Sequence, residues 1–170
     1  MKKIILALML CLPMFAFAQS GKEKKANQDT EAWRYEIEPE NVGNQGTVVV
    51  KVWSFSKDPK VAAEQSKKNA IHGVIFKGVP TKDRIQGKKP LVQNSAIESE
   101  KADFFANFFA NGGDYQRFVS LTNNGAIGAG DVMKVDKKEY KVGVVVTVNY
   151  SELRSYLEDQ GIVKKLNSGF

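Results

Sequence analysis

The chain is poor in the residues on which most catalytic sites depend. It has one cysteine, Cys11, and one histidine, His72, in 170 residues. A metal site needs several clustered ligands, and no paired His or Asp/His spacing is present. A serine hydrolase would need a base and a G-x-S-x-G turn, and that turn is absent. His72 lies where we predict a helix to end, and the helix dipole favours a protonated His there without any catalytic role.

Paired carboxylates are the one catalytic pattern that the sequence leaves open, because a glycoside hydrolase needs only two of them. The candidates, which the sequence does not rank, are Glu36, Glu38, Glu98, Glu100, Asp114 and Asp131. The glycine-rich residues 123–130 lack the G-x-x-x-x-G-K-[ST] pattern of a phosphate-binding loop. We therefore predict no catalytic, cofactor-binding or metal-binding residues, no cofactor, and a protein that is not an enzyme. A small hydrolase acting on glycans or peptidoglycan remains the alternative.

The N-terminus has the three parts of a cleavable bacterial signal peptide. Two lysines follow Met1, an apolar run extends over residues 4–17, and the small residues Ala16 and Ala18 precede Gln19. Signal peptidase needs these features in this order. We predict a signal peptide over residues 1–18, cleavage between Ala18 and Gln19, and export to the periplasm or the medium.

Neither a membrane anchor nor a lipid anchor fits this segment. A spanning helix needs about 20 apolar residues, whereas this run is shorter and contains Pro13. Cys11 follows Leu-Met-Leu, without the small residues expected beside a lipidated cysteine. We therefore expect no stable membrane anchor. Cleavage would remove Cys11 and leave a mature chain without disulfides or thiolate sites.

Removal of residues 1–18 leaves 152 of the 170 residues and lowers the formal net charge from +6 to +4, because Lys2 and Lys3 are lost. That length predicts one domain with its own core. The polar residues 19–30 predict a flexible leader, and residues 31–170 the domain. The lysines and glutamates are interspersed, whereas a nucleic-acid interface needs a clustered basic face. We predict that nucleic acid is not a partner.

The first half of the domain alternates strand and helix signals. Alternation from Trp33 predicts a strand that ends at Pro39, and residues 47–55 predict a buried strand. Asp58 and Pro59 are typical of a helix start, and we predict a helix that stops at Gly73. The segment from Gly73 to Lys77 resembles a short buried strand. The polar residues 78–94 predict a long loop, which is the first place to expect a binding surface.

A phenylalanine-rich helix follows. Ser95 and Glu98 match a capping box, which predicts a helix start. The helix carries four rings within six positions, namely Phe104, Phe105, Phe108 and Phe109. They could form an apolar binding surface for a ligand or a partner. The general rule that an apolar stripe faces the core favours a core helix instead.

The C-terminal third predicts a hairpin and a helix. Residues 131–135 and 140–150 read as strands joined by a short polar turn. Even-numbered positions from Tyr140 to Tyr150 are apolar, which predicts a long antiparallel strand with one buried face. Ser151 is typical of a helix cap and Gly161 of a helix stop. Together these elements predict an α+β fold: an antiparallel or mixed sheet of four to five strands, with two to three helices mainly on one face.

The order of these elements resembles a family of bacterial envelope domains. A helix with Ala62, Ser66 and Ala70 on one face precedes a Gly-Val segment, a second helix and a hairpin that ends in the Val-rich residues 141–148. Over residues 46–158 this resembles the LPP20/FlgT N-terminal type. The resemblance implies an exported domain of a surface assembly and carries over no functional residue. Members are often lipidated, whereas Cys11 lacks that context.

These observations favour an exported, non-enzymatic envelope or secreted module that binds a protein partner in a cell-surface assembly. Besides the hydrolase, the second alternative is a binder of small apolar ligands that uses the phenylalanine-rich helix. An enclosed apolar cavity of a few hundred Å³ is what such a binder would need.

Overall fold

The computed structural model describes residues 33–165. The predicted signal peptide, its cleavage residues Ala16, Ala18 and Gln19, and the leader lie outside the described residues. No helix in residues 33–165 is long and apolar enough to cross a membrane.

A five-stranded antiparallel sheet forms the centre of the domain. Its strands are β1 (Tyr35–Asn41), β2 (Val48–Ser56), β3 (Val119–Leu121), β4 (Val132–Asp136) and β5 (Glu139–Val148). β2 lies between β1 and β5, and the long β5 pairs with β3 and β4 along its other edge. β5 is therefore the strand on which the sheet is assembled.

Helices pack against this sheet and give the α+β fold that the sequence predicts. They are α1 (Pro59–His72), α2 (Ala96–Glu100), α3 (Ala102–Phe108) and α4 (Tyr150–Asp159). α1 lies across β2 and β5. Only Lys101 separates α2 from α3, so these two helices form one helical segment. Together with α1 and α4, three main helical segments therefore pack against the sheet. The predicted strand number and helix number are confirmed.

The core is built from the alternation predicted for the C-terminal strand. Val144 and Val146 of β5 are buried and lie opposite Val52 and Val50 of β2. β-branched side chains pack well on a pleated surface. Burial of one valine stabilises the fold by about 1.5–3 kcal/mol. This valine layer faces α1.

α1 spans the residues that the sequence predicts, but the segment that follows it differs from the prediction. The Asp58 carboxylate accepts a hydrogen bond from the Lys60 amide at 3.0 Å, and Pro59 follows it. At the other end Gly73 keeps helical angles, and residues Gly73–Lys77 continue as a π-helical turn. The predicted strand there is wrong. Val74 and Ile75 are buried by the wide turn, and Gly78, at φ +75°, ends it.

The predicted capping box is also wrong. Ser95 already has helical angles and makes no side-chain cap bond. Asn94 acts instead, since its Oδ1 accepts a hydrogen bond from the Ala96 amide at 3.0 Å. The helix is interrupted at Lys101. Glu98 makes no capping bond with Ser95, and its carboxylate contacts His72 at the end of α1 instead.

Three boundaries shift by a few residues. Pro39 lies within β1, with a register irregularity after it, because an edge strand tolerates a missing amide. Trp33 has a φ of +47° and precedes the strand. α4 begins at Tyr150, so Ser151 is not its cap, whereas Gly161, at φ +68°, follows its end as predicted.

The predicted long loop 78–94 contains a small hairpin. Val79 pairs with Lys88, and Lys82 pairs with Ile85 at the turn. A Cβ on Gly87 would overlap the Val79 carbonyl oxygen. Leu91 and Val92 are buried at the hairpin base. The segment is therefore tied to the core at its ends.

Candidate functional site

Within residues 33–165 no α-helix packs on one face of the sheet, and we call it the open face. It consists of the β2 and β5 side chains that alternate with the buried valines, together with two carboxylates of β1. They include Glu36, Glu38, Lys51, Trp53, Phe55, Lys141, Gly143 and Val145. Two large aromatic rings on this face are only half-buried.

Trp53 occupies the middle of the open face and is held by its neighbours. Gly143 lies directly opposite it on β5. A Cβ at Gly143 would lie 2.8 Å from Trp53 Cζ3, so the ring fits because no side chain is present there. The indole Nε1 donates a hydrogen bond to Glu38 Oε1 at 2.8 Å. The orientation of the ring is thereby fixed.

Cations lie beside both aromatic rings. The Nζ atoms of Lys51 and Lys141 are 5.0 and 5.4 Å from the centroid of Trp53. The Arg34 guanidinium carbon is 5.3 Å from the centroid of Phe55. These are cation–π distances.

Each of these cations also pairs with a carboxylate from another part of the chain. The ion pairs are Lys51–Asp131 (2.6 Å), Lys141–Glu36 (2.6 Å) and Arg34–Glu139 (2.9 Å). Such partly exposed pairs contribute little to stability, but they restrict where the side chains lie.

Glu38 connects the open face to the neighbouring hairpin. Its Oε2 accepts from Lys82 Nζ at 2.7 Å, while its Oε1 accepts from Trp53. The hydrogen bond from Lys82, followed by that from Trp53, holds the pKa of Glu38 below its usual value. Glu38 is therefore a carboxylate that positions other groups.

A second polar cluster surrounds His72, whose side chain is buried. Tyr35 Oη lies 2.6 Å from His72 Nδ1, and His72 Nε2 lies 3.1 Å from Glu98 Oε1. The Trp33 ring stacks on the imidazole with centroids 3.7 Å apart. The cluster joins the start of β1 to α1 and α2.

The imidazole of His72 is neutral in this cluster. Burial, and then the charge of Glu98, raises the pKa of Tyr35, so its hydroxyl keeps its proton and donates to Nδ1. Nε2 then carries the imidazole proton and donates a hydrogen bond to Glu98 Oε1. Burial, and then the charge of Lys77, lowers the pKa of His72 to about 3. The expectation of a protonated His72 at a helix end is wrong, because burial of the ring favours its neutral form.

The four phenylalanines named from the sequence lie against the core. Phe105, Phe108 and Phe109 are buried, and Phe104 is half-buried. Phe109 meets Trp33 at 5.0 Å between centroids, and Phe105 meets Phe76 at 5.0 Å. These contacts match the core-helix interpretation, and little of the four rings remains open to a ligand.

The candidate carboxylates are dispersed among four places. Glu36, Glu38 and Asp131 meet lysines of the open face or its border. Glu98 contacts His72, and Asp114 accepts a hydrogen bond from the Tyr156 hydroxyl at 2.9 Å. Glu100 is exposed on α2. Within residues 33–165 no three His, Cys, Asp or Glu side chains are placed to share a metal ion.

The open face was missed by the sequence reasoning, which treated Trp53 and Phe55 as strand residues only. The available signal was the alternation in β2, where Lys51, Trp53 and Phe55 interleave with residues that the structure buries. Comparison with known proteins adds no identification: no family model matches the chain, and neither a curated protein nor a solved structure matches it.

Proposed function

We propose that the protein is an exported, non-enzymatic module of the bacterial envelope, periplasmic or secreted, that binds a protein partner through its open face. The N-terminal sequence supports export. The resemblance to LPP20/FlgT N-terminal domains supports a role in a cell-surface assembly.

The observation that carries the proposal is the placement of Trp53. Tryptophan and arginine are enriched among the residues that dominate binding energy at protein interfaces. Here Trp53 lies on the open face and is already fixed by Glu38 and Gly143. A fixed ring loses little conformational entropy when a partner covers it. Phe55 and the paired cations beside it would form the surrounding rim.

The test compares capture by the mature protein, residues 19–170, and by two variants. Trp53→Ala removes the central ring, and Val42→Ala shortens an exposed apolar side chain outside the open face. Circular dichroism first establishes that all three are folded. Each protein is then immobilised and exposed to envelope fractions, and captured proteins are quantified by mass spectrometry.

We expect a partner that the wild type and Val42→Ala both enrich, with capture reduced about 30-fold or more in Trp53→Ala, as at an interface hot spot. Equal capture by Trp53→Ala would place the binding surface elsewhere. The absence of any enriched partner would contradict the proposal as a whole.

A further inference from the structure

The net charge of the predicted mature chain is concentrated in one segment, residues 77–90, which we call the basic hairpin. It contains five cations and one acid, Asp83, which gives +5 − 1 = +4; the cations are Lys77, Lys82, Arg84, Lys88 and Lys89. Without Lys2 and Lys3 the chain has 25 − 2 = 23 cations and 19 acids, also +4. The remaining 18 cations and 18 acids therefore cancel.

Most of these charges are available to a partner. All five cations are exposed. Lys82 pairs with Glu38, whereas Arg84, Lys88 and Lys89 make no ion pair with the residues that the structure describes. Lys88 lies near the Tyr150 ring at 5.8 Å, which leaves its charge uncompensated. The basic hairpin thus carries the excess positive charge of a chain whose other residues have no net charge.

The charges are held on an ordered support. Val79 and Lys88 exchange two backbone hydrogen bonds of 2.8 and 2.9 Å. At the base, the amides of Leu91 and Val92 donate to the carbonyls of Val74 and Ile75 in the π-helical turn. The cations consequently project from the core at a defined place.

We propose that the basic hairpin binds the anionic phospholipid surface of a bacterial membrane. Four of its five cations are lysines, and it contains no aromatic residue. Lysine is depleted and aromatic residues are enriched at protein interfaces. A bilayer surface instead presents a plane of phosphates that attracts clustered cations without a shaped pocket. Because the rest of the chain is neutral, the hairpin would orient the domain against such a plane.

This inference adds a second surface and does not depend on the partner proposed for the open face. Membrane contact of this kind is peripheral, reversible and weakened by salt. It agrees with the expectation that the chain has no stable membrane anchor.

The test is co-sedimentation of residues 19–170 with vesicles of phosphatidylglycerol and phosphatidylcholine in equal parts, at low and at high salt. The triple variant Arg84→Gln, Lys88→Gln, Lys89→Gln removes the unpaired cations. Each cation near an anionic surface changes partitioning about fivefold, so we expect a loss of about two orders of magnitude. High salt should produce a similar loss in the wild type.

A matched control carries the same change of charge elsewhere. Lys134, Lys137 and Lys138, around the β4–β5 turn, are exposed and also lack ion pairs within residues 33–165. Their triple Gln variant should lose little binding, since Asp136 lies among them. Trp53→Ala should bind vesicles as the wild type does, which separates this inference from the proposed function.

Three outcomes would overturn the proposal. The first is equal binding to vesicles of phosphatidylcholine alone. The second is an equal loss in the two triple variants, because binding would then follow net charge only. The third is binding to soluble polyglutamate without binding to anionic vesicles, which would indicate an acidic protein as the partner of the hairpin.

Discussion

The two faces of the sheet differ sharply although they are made by the same strands. Val144 of β5 is 1% exposed beneath the helices, whereas its neighbour Val145 points to the open face and is only half-buried. On β2, Val52 is fully buried and Trp53 is not. A step of one residue thus separates the side chains that hold the fold together from those that remain partly exposed.

The comparison also concerns the type of chemistry on each face. The covered face is a valine layer with a buried polar cluster at one end, so its energetics depend on burial and on the protonation of one histidine. The open face consists of rings and ion pairs, whose energetics depend on salt and on local geometry. Four predictions test this division, beginning with the largest effect.

A carboxylate introduced on the covered face should destabilise the fold far more than one introduced on the open face. Val144→Asp buries a charge, which costs several kcal/mol, a large part of the 5–15 kcal/mol typical of a domain. We expect it to unfold the protein. Val145→Asp places the same group opposite Lys51 and should change stability by less than about 1 kcal/mol. Thermal denaturation followed by circular dichroism distinguishes them, and equal melting temperatures would refute the division.

Acid should lower the stability of the folded protein through protonation of His72. Its folded pKa of about 3 lies below the unfolded value near 6.5. The unfolded state therefore takes up the proton first, and stability that is complete above pH 6.5 is lost as the pH falls toward 3. Between pH 7 and pH 5 the wild type should lose about 2 kcal/mol more than His72→Gln.

Urea denaturation at both pH values measures this difference. Tyr35, Glu98 and Lys77 are the titratable groups that face His72 or its partner, and they are unchanged in the variant. Parallel losses in the two proteins would show that His72 is not the group responsible.

Gly143→Ala should disturb the open face while leaving the covered face intact. The added Cβ would meet the Trp53 ring, so the ring must move away from the sheet. Overpacking of this kind costs about 1 kcal/mol. We expect a shift in tryptophan fluorescence and a weakened Trp53–Glu38 hydrogen bond. An unchanged emission spectrum would contradict the close packing of ring and glycine. Gly130→Ala, where an added Cβ would meet no atom within 4 Å, serves as the matched control.

Lys51→Ala should have the smallest effect. It removes an ion pair with Asp131 and a contact with Trp53 on a partly exposed face. Such pairs contribute about 0.5 kcal/mol, and less at high salt. Denaturation in low and high salt measures the change. A loss above about 2 kcal/mol would mean that the open face supports the fold as strongly as the valine layer does.

The parts of the fold that the sequence predicts well depend on neighbours along the chain. Asp58 and Pro59 define a helix start by themselves, and the alternation of valines in β5 indicates which side is buried whatever packs there. The fold class follows from the order of such signals. These features need no knowledge of distant contacts.

The remaining features depend on contacts between residues far apart in sequence. Glu98 matched a local cap pattern, but its preferred partner is His72, 26 positions earlier. Lys51 pairs with Asp131, which lies on another segment. Similarly, the chain after α1 continues as a π-helical turn instead of the predicted strand, and Val74 and Ile75 are buried in that turn. The charge of residues 77–90 can be counted from the sequence, but the mild net charge of the whole chain does not reveal that the cations are concentrated there.

The π-helical turn has a consequence for the engineering of this protein. Its carbonyls bind the return strand of the basic hairpin through backbone atoms alone, and Val79 and Lys88 close the hairpin above them in the same way. The tip, residues 81–87, is therefore enclosed by bonds that do not depend on its side chains, although Gly87 must keep its close approach to Val79. A foreign peptide placed between Thr81 and Gln86 should be displayed without disturbing the valine layer, at the cost of the Lys82–Glu38 ion pair. That would make the domain a scaffold with a replaceable loop.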